Sequence, residues 1–580
     1  MTARGPWPGR SAGARRWLLA AVGLVGLPFA AVPHAPAPLP PNDLVARGRN
    51  AVVVTAEPHA TRIGLDVLQQ GGNAVDAAVA VALALAVTHP QAGNLGGGGF
   101  LLVRMADGRT GAIDFRERAP QRATADMYLR PDGSVDTDKV EYGATAAGVP
   151  GSPAGLALAL RRYGTQGLRA VAEPAIRLAR EGFAVDHFLA QDLAESGHIL
   201  GRFPSTRAVF FKDGAPLRQG DVLVQRDLAA TLERFAKDGV DGFYTGETAA
   251  KITAQMARDG GYVTAADLAD YTPREREVLR GRYRGYEILG MPPPSSGGVA
   301  LQQMLTLLEP YDLGAIGFGG SESMHLLTEV MRRAYADRSK WLGDPDHADV
   351  PMAGLLDADY LKALAASIDR ERKSEVAPGV PPGGKDGDDT THFSIVDAAG
   401  NAVACTTTIN STFGSGLVVE GAGFLLNNEM DDFSAKLGAP NQFGLVGGKR
   451  NAIAPGKRML SSMTPTIVLQ DDTLRFVLGA PGGGRIITAV LQTLLNRIDH
   501  GMDLEYAVRA PRIHHQWQPD EIFWEPLSVS PDVRAALQAK GHTLARRPRE
   551  LARVFAIEVT PDGERIGVCD HRSGGAAGAF

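Results

Sequence analysis

A stretch of alternating β-branched residues about two-thirds of the way along the 580-residue chain predicts a β-hairpin. The first strand is expected at 390–396, the turn at 397–401 and the second strand at 402–409. Lys385 to Asp389, directly before the first strand, are polar and predict a flexible lead-in. The chain must therefore contain an antiparallel strand pair that is approached from a flexible segment.

The register of this hairpin places particular side chains opposite one another. With the turn centred near Ala399, Thr390 is expected to face Thr408, and Asn410 is expected just beyond on the same face of the sheet. A slip of one residue would move all three to the other face, so the register is a testable expectation.

A threonine at the first position of a strand, after a flexible segment, suggests an N-terminal nucleophile. The hydroxyl needs a base, and cutting the chain before Thr390 would free an α-amine with a pKa of about 8 to take its proton. The alternative is an ordinary strand edge, because threonine is common in strands. The hairpin alone favours the strand edge.

Longer motifs favour the N-terminal nucleophile over the ordinary strand edge. In the order and spacing of these motifs, the chain resembles the γ-glutamyltranspeptidase family. They run over nearly the whole chain from about residue 50 and comprise 71–100, 114–120, 271–283, 291–298, 336–345, 390–394, 427–433, 460–465 and 481–483. The resemblance implies an α/β fold, namely the four-layer αββα sandwich of the N-terminal nucleophile hydrolase superfamily. It further implies self-cleavage between Asp389 and Thr390, which gives a large subunit at 38–389 and a small one at 390–580.

The resemblance also implies the roles of the other site residues. Arg116, Ser461 and Ser462 would hold the α-carboxylate of a γ-glutamyl group, and Glu429 and Asp432 its α-amine. Thr408 would orient Thr390, Asn410 would contact the substrate, and Gly482 and Gly483 would supply an oxyanion hole. Phe443 stands in a stretch, 437–448, that is similar to the family's lid loop.

Taken without the resemblance, these residues have plainer readings. The glycines before the predicted helix 486–495 expose N–H groups at a helix N-terminus, which suits an oxyanion as well as it suits a tight turn. Arg116 lies in a charged run where a surface ion pair is the simpler explanation, and His392 is expected to have a packing role. Asn73 and Asp76 form a capping box before 74–88, which is expected to be a buried core helix.

Composition excludes several classes of protein. A net charge of −5 gives no reason to expect a nucleic-acid partner, and no cluster of Cys and His has metal-ligand spacing, so no metal and no cofactor are predicted. The glycines at 96–99 precede a strand rather than a helix, which excludes a dinucleotide loop. Cys405 is expected to be a buried thiol, and a Cys405–Cys569 disulfide is the less favoured alternative. Residues 1–37 read as a secretory signal rather than a membrane anchor, which predicts export to the periplasm or beyond.

The predicted function is that of a self-cleaving γ-glutamyltranspeptidase acting on glutathione and related γ-glutamyl compounds, with water, amino acids or dipeptides as acceptors. One alternative is an acylase of the glutaryl-cephalosporin type, in which the amine-binding acids would be missing. Another is an amino-acid-binding protein that has lost catalysis and is not cut.

Overall fold

The structure is a computed structural model that describes residues 43–379, 391–436 and 438–580. Thr390, Asp389 and the expected signal segment 1–37 lie outside the described residues. Within those ranges, no helix combines the length and the apolar character needed to cross a bilayer.

The predicted hairpin is confirmed in both its strands and its register. Its strands are Thr391–Val396 and Ala402–Thr408, and Thr391 pairs with Thr407 in the antiparallel register on which the sequence prediction relied. The hairpin lies in the middle of a seven-stranded antiparallel sheet, called sheet I. The strands of sheet I run from edge to edge as Ala576–Ala579, Val52–Thr55, Thr391–Val396, Ala402–Thr408, Gly98–Arg104, Thr110–Asp114 and Arg274–Arg276.

A second seven-stranded antiparallel sheet, sheet II, packs against sheet I. Its strands are Val45–Gly48, Arg565–Cys569, Phe555–Val559, Thr473–Gly479, Thr466–Gln470, Tyr286–Gly290 and Leu279–Tyr283. Because side chains alternate along each strand, one face of each sheet can meet the other sheet while the opposite face meets helices. Phe555 and Ile557 are accordingly buried between the sheets, whereas Ala556 packs with the helices.

Helices cover the outer faces of both sheets. The main helices on the side of sheet I are Pro58–Gln69, Ala74–Thr88, Ser152–Tyr163, Leu168–Glu181, His187–Glu195, Arg226–Asp238 and Gly246–Asp259. Those against sheet II are Gly297–Leu308, Ser321–Trp341, Arg485–Ile498, Leu504–Arg509 and Pro531–Ala539. The fold is therefore a four-layer αββα sandwich, as the resemblance implied.

Shorter elements connect these layers. The remaining helices are Thr137–Glu141, Gly197–Leu200, Pro204–Phe210, Asp241–Tyr244, Ala265–Ala269, Leu313–Ile316, Met352–Leu355 and Ala358–Ala366, with 3-10 turns at Ala144–Ala146, Glu429–Asp432 and Lys449–Asn451. Three two-stranded ribbons pair Phe183–Ala184 with Val222–Leu223, Phe211–Lys212 with Ala215–Pro216, and Ile513–His514 with Phe523–Trp524.

The helix Ala74–Thr88 begins and ends where the sequence predicted. The side chain of Asn73 accepts from the N–H groups of Val75 and Asp76, and the side chain of Asp76 accepts from the N–H of Asn73. Every residue of the helix is buried, since it lies between sheet I and neighbouring helices. A helix that is apolar on all sides is stable only in such a position.

Two further expectations concern side chains of the sheets. His392 is buried between the sheets, where it forms hydrogen bonds to Thr406 (2.9 Å) and Ser394 (3.0 Å), and burial lowers its pKa to about 3. This neutral, fully bonded ring confirms its packing role. Cys405 and Cys569 are free and buried, on the helical face of sheet I and between the sheets respectively. The disulfide alternative is therefore wrong.

Candidate active site

A cavity of about 470 Å³ opens at the end of the two sheets and brings together four of the predicted site residues. Its lining includes Thr408 and Asn410, from the end of the second hairpin strand, and Gly482 and Gly483, from the loop between the strand Thr473–Gly479 and the helix Arg485–Ile498. The strand ends of both sheets thus deliver these groups to one place.

Thr408 and Asn410 are fixed relative to each other by a short local hydrogen bond. The N–H of Asn410 donates to Thr408 Oγ1 at 2.7 Å, which leaves the hydroxyl hydrogen of Thr408 available to another acceptor. Asn410 has a positive φ of 73° and donates its side-chain amide to the carbonyl of Asn428 at 3.0 Å. Its Oδ1 has no hydrogen-bond partner among the described residues.

The glycine pair occupies backbone conformations that other residues rarely adopt. Gly482 and Gly483 have φ values of 137° and 67°. A Cβ on Gly482 would lie 3.0 Å from atoms of Ala552, so Ala552 would have to shift to admit a side chain. No described residue accepts a hydrogen bond from either N–H, and the helix Arg485–Ile498 starts directly behind them. The arrangement suits a negatively charged oxygen.

A second set of predicted residues forms a compact ionic cluster around Arg116. Its guanidinium pairs with Glu429 and, at 2.5 Å, with Asp432, while Glu117 lies 3.5 Å away; all four side chains are fully buried. The same guanidinium donates to the carbonyls of Met459 and Leu460. The reading of Arg116 as a surface ion pair is therefore wrong.

The cluster places three buried carboxyl groups around one guanidinium, and the pKa values of these groups are shifted. Burial raises the pKa of Glu429 to about 7, against the opposing effect of Arg116. Burial, together with the nearby charge of Glu429, raises the pKa of Glu117 well above its ordinary value. Burial alone would lower the pKa of Arg116, but the three carboxylates raise it. A cationic group of a ligand placed here would favour the ionised forms of Glu429 and Glu117.

Ser461 and Ser462 are buried beside this cluster, in the segment that follows Leu460. The carbonyl of Ser461 accepts from the N–H and the hydroxyl of Ser296, which fixes the segment. Ser462 Oγ has no hydrogen-bond partner among the described residues. It is thus a buried hydroxyl that a ligand oxygen or nitrogen could use.

The cluster and the cavity are neighbours, although the side chains of the cluster do not line the cavity. Asn428 joins them, since its carbonyl accepts from Asn410 and the next residue in the chain is Glu429. Phe443 lines the cavity, and its carbonyl accepts from Gln516 at 3.2 Å. Asn441, two residues earlier, donates to Asp432 at 3.4 Å. The segment around Phe443 therefore contacts both halves of the site.

Sequence reasoning missed two residues of the site. Glu117 follows Arg116 in the same motif, but sequence reasoning assigned it no role. Its negative charge, directly beside a candidate substrate-binding arginine, was a signal that could have identified it. Asn428 was passed over as part of a motif, yet its Oδ1 accepts from the N–H of Ser411 and its carbonyl from Asn410.

The structure also brings together a group with metal-ligand chemistry that sequence spacing did not reveal. His325, Glu329 and His542 approach closely enough to share an ion. The two rings instead hydrogen-bond each other at 2.7 Å, and Glu329 pairs with Arg332 and Arg333. These interactions satisfy the group without an ion, and the absence of a metal stays a prediction.

Comparison with known proteins agrees with this geometry. Residues 60–580 match the family model described as Gamma-glutamyltranspeptidase. The chain is 49% identical over 532 residues to the glutathione hydrolase proenzyme of Escherichia coli (strain K12), covering 91% of each chain. It is 40% identical to the acylase ACY 1 proenzyme of Pseudomonas sp. (strain SE83), over 93% and 97% of the two chains. The crystal structure of a cephalosporin acylase from Bacillus halodurans is similar with a TM-score of 0.81 and 29% identity, over 96% and 99% of the chains.

Proposed function

Because the chain belongs to the γ-glutamyltranspeptidase family, we propose that it cleaves the γ-glutamyl bond of glutathione and related compounds and passes the γ-glutamyl group to water, an amino acid or a dipeptide. It is an enzyme of the glutathione hydrolase type, made as a precursor that cuts itself. The main structural support for the location of the active site is that one cavity is lined by Thr408, Asn410, Gly482 and Gly483.

Thr390 is proposed as the nucleophile of both the self-cleavage and the enzymatic reaction. It lies outside the described residues, and support comes from the register of Thr391 with Thr407, which one further step would extend to Thr390 and Thr408. In the first reaction its hydroxyl attacks the carbonyl of Asp389, and water hydrolyses the resulting ester. This would leave subunits of 38–389 and 390–580 once the segment 1–37 is removed during export.

In the second reaction Thr390 attacks the γ-carbonyl of the substrate. Its freed α-amine takes the hydroxyl proton and returns it to the leaving amine, while Thr408 orients the hydroxyl. The N–H groups of Gly482 and Gly483 would stabilise the oxyanion, since they lie in a turn whose positive φ values suit glycine and which packs against Ala552. Two easier acyl transfers replace one difficult transfer.

The Arg116 cluster is proposed to hold the α-amino and α-carboxylate groups of the γ-glutamyl residue. The α-carboxylate would pair with Arg116 and take hydrogen bonds from Ser461 and Ser462, and the α-ammonium would pair with Glu429 and Asp432. When the α-ammonium and α-carboxylate of the substrate enter between Arg116 and the acids Glu429 and Asp432, the ion pairs within the cluster are replaced by ion pairs with the substrate. Binding then does not leave any buried charge unpaired, which would be costly.

An acylase for glutaryl-cephalosporin compounds is the second candidate, favoured by the acylases among the similar proteins. A glutaryl group has no α-amine. The buried acids Glu429 and Asp432 would then serve no ligand, so their position beside Arg116 supports the γ-glutamyl assignment over the acylase.

The test uses purified wild-type protein. Intact mass and N-terminal sequencing are expected to show two fragments, the smaller beginning Thr390-Thr391-His392. The same preparation should release p-nitroaniline from γ-glutamyl-p-nitroanilide faster than from glutaryl-p-nitroanilide. A stable single chain without either activity would leave only the binding-protein reading, and a preference for the glutaryl substrate would favour the acylase.

A further inference from the structure

The cavity also carries polar groups that the proposed γ-glutamyl site does not use. Gln91 follows the helix Ala74–Thr88, Asp192 lies on the helix His187–Glu195, and Arg553 follows the loop that contacts Gly482. All three line the same cavity as the glycine pair. A group bound here would share the cavity with the glycine pair, which is proposed to hold the oxyanion of the acyl group.

Gln91 is held so that one of its polar atoms has no partner. Its Nε2 donates to Asp192 Oδ2 at 3.0 Å, and because a carboxylate only accepts hydrogen bonds, the amide oxygen must point elsewhere. Gln91 is only 7% exposed, and its Oε1 has no hydrogen-bond partner among the described residues. A buried acceptor in this state is stabilised by any ligand that brings an N–H.

Arg553 supplies a positive charge beside the glycine pair. Its N–H donates to the carbonyl of Pro481 at 3.3 Å, and the preceding Ala552 packs against Gly482. Its side chain is 46% exposed and reaches Glu550 only at 4.0 Å. A guanidinium so placed can pair with a carboxylate of a bound ligand.

The other charged and titratable groups around it define what the subsite can accept. Burial lowers the pKa of His89 to about 3, and Arg553 adds to this effect, so the ring is neutral and does not compete for a carboxylate. Burial raises the pKa of Asp192, while Arg553 opposes this rise. Asp186 and Glu195 also line the cavity, and together with Arg553 they make it favourable for a ligand that carries both an amine and a carboxylate.

We propose that Gln91 and Arg553 form the acceptor subsite, which takes a free amino acid or dipeptide by its N–H and its carboxylate. Gln91 Oε1 accepts from the acceptor N–H, Arg553 pairs with its carboxylate, and Asp192 is a positioning residue that orients Gln91. This proposal rests on the proposed function. In the transfer step the acceptor nitrogen bonds to the acyl carbon, the bond from that carbon to Thr390 Oγ breaks, and an amine proton passes to Oγ.

The experiment compares two acceptors that differ only in the C-terminal group expected to meet Arg553. This group is a charged carboxylate in one acceptor and a neutral amide in the other. Transfer from γ-glutamyl-p-nitroanilide to glycylglycine and to glycylglycinamide is measured at about pH 9, where both acceptor amines are mostly unprotonated. The wild type is expected to favour glycylglycine about tenfold in kcat/KM for the acceptor, the ratio that one charge-assisted hydrogen bond supports. Arg553→Gln should bring the ratio to about one, and Arg553→Lys should restore part of it.

Three further variants separate the subsite from general effects. Arg547→Gln is the matched control, because Arg547 is exposed and lies outside the cavity lining, and it should keep the wild-type ratio. Gln91→Met should raise KM for both acceptors and leave their ratio unchanged. Asp192→Asn allows the Gln91 amide to turn round and should have the same effect as Gln91→Met.

Failure of this proposal can be told apart from failure of the proposed function. A wild type that releases p-nitroaniline but shows no preference between the acceptors, or transfers to neither, overturns the subsite alone. A preference that survives Arg553→Gln also overturns it. A wild type that does not release p-nitroaniline overturns the proposed function and, with it, the subsite. If Arg553→Gln is not processed, the wild-type preference and the Arg553→Lys ratio decide the question.

Discussion

Replacing Glu429 by glutamine should make the stability of the protein less dependent on pH. Glu429 is fully buried with Glu117 and Asp432 around the single cation of Arg116, and burial raises its pKa from 4.5 to about 7. A folded-state pKa above the unfolded value means that the folded protein binds the proton more tightly. The contribution of the protonated carboxyl to the free energy of unfolding is therefore fully present below about pH 4.5 and is lost as the pH rises through about 7.

The magnitude follows from the two pKa values. The interval from 4.5 to about 7 corresponds to a loss on the order of 3 kcal/mol in the free energy of unfolding. Glu429→Gln keeps an oxygen that can accept from Arg116 but has no proton to lose. Between pH 5 and pH 8 the variant should gain stability relative to the wild type by nearly that amount.

The assay is urea unfolding at pH 5 and pH 8, performed in a Thr390→Ala background so that a single uncut chain is compared throughout. Glu371→Gln serves as the control, because the side chain of Glu371 is 91% exposed and the substitution should change neither curve. If Glu429→Gln loses as much stability as its parent between the two pH values, the account of the buried cluster is refuted.

The same substitution should change how donor binding depends on pH. If the ionised Glu429 holds the α-ammonium group of the donor, kcat/KM for γ-glutamyl-p-nitroanilide hydrolysis by the wild type should fall as the pH drops below about 7. Protonation of the Thr390 α-amine affects both enzymes, so it is the ratio of wild-type to Glu429→Gln kcat/KM that should fall below this pKa, with a higher KM for Glu429→Gln at pH 8. An identical pH profile for the two enzymes would contradict a role of Glu429 in binding the amine.

Three further predictions address the nucleophile, the glycine pair and the contact between the sheets. Thr390→Ala should give an uncut and inactive chain in intact-mass and p-nitroanilide assays; a cut chain would disprove its role. Gly482→Ala should lower kcat by about 100- to 1,000-fold, as does the loss of an oxyanion donor in other enzymes, whereas Gly501→Ala, at another positive φ with open space around it, should spare kcat. Gly479→Ala would place a Cβ 2.4 Å from the ring of His392, and this overpacking should cost about 1–3 kcal/mol in urea unfolding; an unchanged midpoint would show that the ring can move.

Local patterns in the sequence were sufficient for the elements around the site. The turn at 397–401 determined the register of Thr391 with Thr407, because a hairpin leaves no freedom once its turn is placed. The capping box of Asn73 and Asp76 likewise fixed the start of a helix that a His-Pro pair ends. These are interactions between residues close in the chain.

Interactions between distant residues could not be predicted from such patterns. Arg116 and Glu429 are 313 positions apart, and only the fold reveals that they pair with each other in the absence of substrate. The same holds for His325 and His542, which are 217 positions apart. The resemblance supplied the four layers and the expected roles, but the strand order within each sheet had to come from the structure.

The strand order has a consequence for the enzyme after it has cut itself. In sheet I the strand Val52–Thr55 lies between Ala576–Ala579 and Thr391–Val396, and in sheet II Val45–Gly48 pairs with Arg565–Cys569. Strands from both proposed subunits thus pair with one another within shared sheets. The fragments could separate only by unfolding, and their reassembly would become a bimolecular reaction that depends on concentration. Cleavage would turn a protein able to refold alone into one whose lifetime is set by its rate of unfolding.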